Sequence, residues 1–130
     1  MKEQNTVEYW TSTAEYDIKT AEAMQESKRF LYVGFMCHLV IEKMLKAYFV
    51  KTKQTIPPYT HNLQYLAEKS GVFDELSEDY KDFLDTLQPM SVRARYPAAR
   101  DELFKVLTEE RCENLIIKTK EIMKWIKNKL

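Results

Sequence analysis

Apolar residues recur at helical spacing along most of the chain, and this pattern predicts five helices. The first helix is expected from about residue 7 to residue 27, with Thr6 as its N-cap. Its apolar stripe consists of Trp10, Ala14, Ala21 and Met24. The second helix, from about Phe30 to Lys53, has so wide an apolar face that several other helices must pack on it. We therefore expect the second helix at the centre of the fold.

Prolines and capping residues delimit a short third helix. The consecutive residues Pro57 and Pro58 favour extended backbone and predict a loop. Thr60 is the expected N-cap of a helix that starts at His61 and continues to about residue 69. Gly71 is suited to the left-handed conformation that commonly follows a helix end.

Two further helices complete the predicted fold. Ser77 is the expected N-cap of the fourth helix, which Pro89 ends, and the fifth starts near Thr108. The proline-bounded stretch between them, residues 88–100, is interpreted as a loop. No segment alternates apolar and polar residues with period two, so no sheet is expected. The predicted fold class is all-α, an antiparallel up-and-down bundle of about five helices, four long and one short, in a single domain over residues 1–130.

Composition narrows the possible functions. The chain has 20 Lys and Arg against 20 Asp and Glu, so any nucleic-acid binding must depend on a local basic patch. Cys37 and Cys112 occupy apolar helical positions and are expected to be buried, reduced thiols. Residues 1–6 are polar, and the chain lacks a run of about 18 apolar residues. We therefore expect no export signal, no membrane association and a cytoplasmic location.

The motifs that the chain lacks argue against cofactor and metal sites. Its two glycines, Gly34 and Gly71, cannot build a phosphate-binding P-loop or a dinucleotide-binding loop. The paired Glu-x-x-His motifs of a di-iron bundle and the Cys-x-x-Cys spacing of a zinc site are both missing. Neither a cofactor nor a metal ion is therefore expected.

Three polar residues lie four apart at the edge of the apolar face of the second helix. His38, Glu42 and Lys46 stack along that helix, which is sufficient reason for a structural ladder. The alternative is a polar track that lines a groove, in which His38 exchanges a proton near neutral pH. His61 either makes a hydrogen bond at the start of the third helix or faces the same groove.

Asp17 falls on the apolar stripe of the first helix. An unpaired buried carboxylate is very costly, so a cation is expected beside it. The expected cation is Lys46 or one of the arginines of residues 93–100. A structural ion pair is favoured over a catalytic acid, because structural pairs are common at such positions.

Residues 88–100, which we call the arginine segment, contain three arginines and no acidic residue. Arg93, Arg95 and Arg100 present guanidinium groups that can bind phosphate, and Tyr96 can stack on a base. The arginine segment is therefore the best candidate for an anion-binding site. The alternative is that its arginines pair with acidic residues nearby, among them Asp82, Asp85 and Asp101.

These motifs together resemble those of HEPN domains, small helical bundles named for nucleotide binding in higher eukaryotes and prokaryotes. The resemblance covers nearly the whole chain and is carried by HLVIEKMLKA at residues 38–47, THNL at 60–63, RYP at 95–97 and WI at 125–126. On the first helix its carriers are Trp10, Ala14, Asp17 and Ala21. It implies a bundle that commonly dimerises and that often pairs with a minimal nucleotidyltransferase as toxin and antitoxin.

Many HEPN proteins are metal-independent ribonucleases with an arginine four to six residues before a histidine. This chain departs from that motif, because Arg29 is too far from His38 and no arginine precedes His61 in the required window. The resemblance thus implies nucleotide or RNA binding by Arg93, Arg95 and Tyr96, and it leaves catalysis open.

Two alternative functions remain. One is a non-catalytic dimeric module that docks a nucleotidyltransferase, with Tyr96 as a modification target. The other is a ribonuclease that uses His38 or His61 with Arg95.

Overall fold

The computed structural model describes residues 3–130, with the backbone alone for Gln4. Met1 and Lys2, at the polar start of the chain, lie outside the described residues. The helices are α1 (Val7–Glu26), α2 (Phe30–Lys53), α3 (Leu63–Ser70), α4 (Glu78–Leu87), α5 (Met90–Arg93), α6 (Pro97–Val106) and α7 (Glu109–Lys127). Two short 3-10 turns lie at Glu3–Asn5 and Phe73–Glu75. Residues 3–130 contain no strand, so the all-α prediction is confirmed.

The helix α2 is the centre of the fold, as its wide apolar face predicted. It contacts each of the six other helices. Its buried residues extend from Leu31 near its start to Val50 near its end. The three residues 27–29 join α1 to α2, and the two helices pack along each other as an α-hairpin.

Capping residues set the helix starts largely as predicted. The side-chain oxygens of Thr6, Ser77 and Thr108 each accept a hydrogen bond from the backbone N–H three residues later. The start of α3 was predicted wrongly, because Asn62 and not Thr60 is its N-cap. The Thr60 hydroxyl instead accepts a hydrogen bond from the Asn62 N–H, which forms a turn before α3. Gly71 follows α3 with φ +88°, as expected.

The loop predicted between the fourth and last helices is wrong. This part of the chain contains the single turn α5 and the ten-residue helix α6, so residues 3–130 form six helices of eight or more residues. Pro97 occupies the first turn of α6, where the missing N–H has no bonding partner to lose. Proline therefore starts a helix here.

Gly34 marks a close contact between α2 and α5. A Cβ atom at this position would lie 2.6 Å from the Sδ atom of Met90, so a side chain on α2 would meet α5. This contact accounts for a glycine inside the longest helix. Cys37 and Cys112 are both buried and are not joined by a disulfide, as predicted. Between residues 3 and 130 no helix is both long and apolar enough to cross a membrane.

Candidate functional site

Four of the predicted site residues form one group, which we call the polar cluster: His38, Glu42, Lys46 and His61. Glu42 is only 3% exposed and lies at its centre. Its Oε1 atom accepts a hydrogen bond from Nδ1 of His61 at 2.8 Å, and its Oε2 atom accepts one from Nζ of Lys46 at 3.1 Å. The Nδ1 atom of His38 is 3.7 Å from Oε1. The ladder on α2 and the histidine before α3 therefore meet at one carboxylate.

Gln88 holds His61 in place, and sequence reasoning missed this role. The Oε1 atom of Gln88 accepts a hydrogen bond from the Leu63 N–H at 2.7 Å. Its Nε2 atom donates to the His61 carbonyl at 3.1 Å. The end of α4 is thereby tied to the start of α3. No local pattern could have indicated this contact, because it joins residues 25 and 27 apart.

His38 is fully buried, and within residues 3–130 neither of its ring nitrogens has a hydrogen-bond partner. Burial lowers the pKa of His38 to about 4, although the neighbouring Glu42 carboxylate opposes this effect. The lowered pKa argues against the alternative in which His38 exchanges a proton near neutral pH. His38 is neutral there and serves as part of the packed core.

His61 has the opposite surroundings. Its side chain is 61% exposed, while its Nδ1 atom is bound to the nearly inaccessible Glu42 carboxylate. A carboxylate that orients an imidazole in this way leaves the second ring nitrogen free for a reacting partner. His61 therefore has a suitable arrangement for proton transfer at the surface.

Lys46 is buried between a carboxylate and an aromatic ring. Besides its bond to Glu42, its Nζ atom lies 5.3 Å from the ring centroid of Trp10 on α1. Such a contact stabilises a desolvated ammonium group. Lys46 is thus held in place by α1 and α2 together.

Asp17 has a different partner from the one predicted. Its Oδ2 atom accepts a hydrogen bond from Nζ of Lys43 at 2.6 Å, and neither Lys46 nor an arginine is the partner. Lys43 lies on α2 at a position that local spacing could not single out. The ion pair joins α1 to α2, which agrees with a structural role.

The arginine segment begins at Gln88, directly after α4, and includes α5 and the start of α6. Arg93 ends α5, Arg95 and Tyr96 lie in the following connection, and Arg100 lies on α6. Arg93 and Arg95 are exposed, and Tyr96 is 61% exposed. The Arg95 guanidinium lies 5.7 Å from the ring centroid of Phe35 on α2, which limits its freedom.

The ion pairs in the described part of the chain involve lysines and histidines, and no arginine there pairs with a carboxylate. The predicted alternative, pairing with Asp82, Asp85 or Asp101, is therefore not observed. The charge of the arginine segment is left uncompensated by direct contacts.

Charge is distributed unevenly despite the zero net charge. A cavity of about 520 Å³ between the end of α1 and the start of α7 is lined by five glutamates, one glutamine, two isoleucines and one lysine. That lysine, Lys120, is already paired with Glu22. The acid-rich cavity is unsuited to phosphate, which favours the arginine segment as the anion-binding face.

Within residues 3–130 no group of three potential ligands is arranged to hold a metal ion.

One of three comparisons with known proteins gave a match. The family model of the HEPN domain matches residues 7–129, which is nearly the whole chain. The comparisons with curated proteins and with solved structures gave no match. The matched range includes both the polar cluster and the arginine segment.

Proposed function

Because the chain belongs to the HEPN domain family, we propose that it binds nucleotide or RNA through Arg93, Arg95 and Tyr96. The observation that carries the proposal is the exposure of arginines that have no carboxylate partner in the part of the chain that the structure describes. An unpaired arginine on the surface is free to meet a phosphate without first breaking an ion pair. Its planar guanidinium forms paired hydrogen bonds with phosphate oxygens.

Tyr96 supplies the second part of the proposed recognition. Its ring is exposed beside Arg95, at the residue that precedes Pro97 and the start of α6. Stacking of one base on an aromatic side chain contributes about 1–3 kcal/mol in single-stranded nucleic-acid complexes. A base can stack on Tyr96 only when it is not paired in a duplex, so these contacts favour a single-stranded ligand. Because phosphates and base faces are common to all nucleotides, we expect the binding to show little sequence preference.

The proposal is tested with the double variant Arg93→Ala/Arg95→Ala and a single-stranded RNA, by fluorescence anisotropy at low salt. We expect affinity to fall by about ten-fold or more, since each lost charged hydrogen bond costs about 1.5–3 kcal/mol. The matched control is Lys51→Ala/Lys53→Ala, which removes two exposed positive charges at the end of α2. Equal binding by the arginine variant and the wild type would count against the proposal.

A second candidate function is RNA cleavage with His61 as general acid or base. The observation that favours it is the 2.8 Å contact between the exposed His61 and the buried Glu42. An arginine such as Arg95 would then stabilise the phosphate charge. RNA that stays intact at near-stoichiometric protein would exclude this function. If cleavage occurs, it must disappear in His61→Ala.

The family also suggests a homodimer and a nucleotidyltransferase partner in the cytoplasm, and these remain proposals for this chain. Tyr96 is 61% exposed, so its side chain is accessible to a transferring enzyme. Measurement of mass in solution tests the dimer. Incubation with a minimal nucleotidyltransferase and ATP tests modification, which must be lost in Tyr96→Phe.

A further inference from the structure

A small basic cavity lies where the connection between α1 and α2 meets α6. Its volume is about 260 Å³. Three cations line it, namely Lys28, Arg29 and Arg100. Three aromatic rings also line it, namely Phe30, Tyr32 and Phe104. No acidic side chain lies among its lining residues, so an anion would meet only attractive side-chain charges there.

Arg100 is the least satisfied of these cations. Its Nε atom is buried and has no hydrogen-bond partner, and its guanidinium lies 5.8 Å from the ring centroid of Phe104. A buried N–H without an acceptor is unfavourable, and an anion in the cavity would supply one. None of the three cations forms an ion pair within residues 3–130.

The start of α2 adds to the same effect. Arg29 is the N-cap of this 24-residue helix but makes no side-chain capping bond, and the first turn contains no acidic residue. The first N–H groups of a helix have no carbonyl partner inside it, and the helix dipole favours negative charge beside them. Phe30 and Leu31 are the first two residues of α2, so their N–H groups are among those without a carbonyl partner inside the helix.

We propose that this basic cavity binds a phosphomonoester attached to a ring, with the phosphate end of a mononucleotide as its ligand. Two guanidinium groups and one ammonium group match a doubly charged phosphate. The aromatic rings of the lining can pack against the apolar face of the ribose that carries the phosphate. The volume is below the range of about 300–1,000 Å³ for drug-sized ligands, so the phosphate and one ring enter.

This site is separate from the proposed RNA-binding face. Arg93, Arg95 and Tyr96 do not line the basic cavity, whereas Arg100 does. Arg100 therefore binds the mononucleotide in the basic cavity and not the RNA strand. Either proposal can fail while the other holds.

Titration of the wild-type protein, followed by NMR of the backbone amides, tests the site directly. The probes are inorganic phosphate, 5′-AMP and adenosine. We expect 5′-AMP and phosphate to shift the amides of Phe30 and Leu31 in a saturable way, with 5′-AMP binding more tightly. Adenosine is expected to bind far more weakly. Adenosine binding as tight as 5′-AMP, or shifts that leave both amides unchanged, would overturn the proposal.

The double variant Arg29→Ala/Arg100→Ala should weaken 5′-AMP binding by about ten-fold or more, since charged hydrogen bonds to phosphate are lost. Lys51→Ala/Lys53→Ala serves as the charge-matched control and should change it by less than about two-fold. If the first variant does not fold, Arg29→Ala alone removes an exposed side chain and should still weaken binding. Unchanged 5′-AMP affinity in a folded Arg29→Ala protein would contradict the inference.

Discussion

The Oε1 atom of Glu42 accepts a hydrogen bond from Nδ1 of His61 at 2.8 Å, across 19 residues of sequence. This contact attaches the loop before α3 to the middle of the central helix. The other carboxylate oxygen of Glu42 accepts the bond from Lys46. One buried carboxylate therefore fixes a surface histidine and compensates a buried lysine.

We predict that Glu42→Gln strongly destabilises the fold. The substitution keeps the side-chain volume but leaves the ammonium group of Lys46, a residue only 6% exposed, without a counter-charge. Breaking a buried pair in this way costs about 3–5 kcal/mol. Urea unfolding followed by circular dichroism measures the free energy of unfolding.

Two matched variants isolate the stranded charge as the cause. The double change Glu42→Leu/Lys46→Met removes both partners and should recover part of the loss. Asp17→Asn breaks the pair with Lys43, whose side chain is 23% exposed and can reach water, so its loss should be smaller. A double variant less stable than Glu42→Gln would contradict this explanation.

We predict that His38 makes the fold less stable in mild acid. Its pKa in the folded state is about 4, below the ordinary value of 6.5, so the unfolded chain binds more protons between these limits. The contribution of neutral His38 to the free energy of unfolding is therefore fully present above pH 6.5 and decreases as the pH falls. Below pH 4 the free energy of unfolding has decreased by roughly 3 kcal/mol.

The variant His38→Leu tests this prediction, since it keeps an uncharged side chain of similar size at every pH. Free energies of unfolding are measured from pH 7.5 to pH 4.5 for both proteins. We expect the slope against pH to be less steep in the variant. Parallel curves would show that other groups cause the acid sensitivity.

We predict that Gly34→Ala conflicts with Met90. The new Cβ atom would lie 2.6 Å from Sδ, so the buried methionine must move. This cost opposes the gain of about 1 kcal/mol that alanine brings to a helix interior. The double variant Gly34→Ala/Met90→Ala should therefore be more stable than the sum of the two single changes indicates, as a thermal double-mutant cycle would reveal. Additive effects would argue against the close contact.

Local sequence signals were sufficient for the long helices. The boundaries of α2 follow from its apolar run, and Thr6 and Thr108 mark the starts of α1 and α7, because capping and periodicity act within a few residues. The helix α6 was missed because the proline-bounded stretch of residues 88–100 was interpreted as a loop. Proline also fits the first turn of a helix, and sequence alone does not distinguish the two roles.

The candidate sites were only partly predictable. The spacing of Glu42 and Lys46 on one helix indicated their contact, since it is local. The partner of Asp17, the role of Gln88 and the presence of both Arg29 and Arg100 in the lining of one cavity depend on how helices pack. They bring together residues far apart in the chain, so no local pattern contains them.

The salt dependence of RNA binding tests the central claim most directly. The affinity of a single-stranded RNA is measured over a series of salt concentrations for the wild type, for Arg93→Ala/Arg95→Ala and for Lys51→Ala/Lys53→Ala. Each phosphate contact contributes about 0.7 to the slope of log affinity against log salt, so the loss of two should reduce that slope by roughly 1.4. The lysine control should keep the wild-type slope. An arginine variant with unchanged slope and affinity would contradict the claim that Arg93 and Arg95 bind the nucleic-acid backbone.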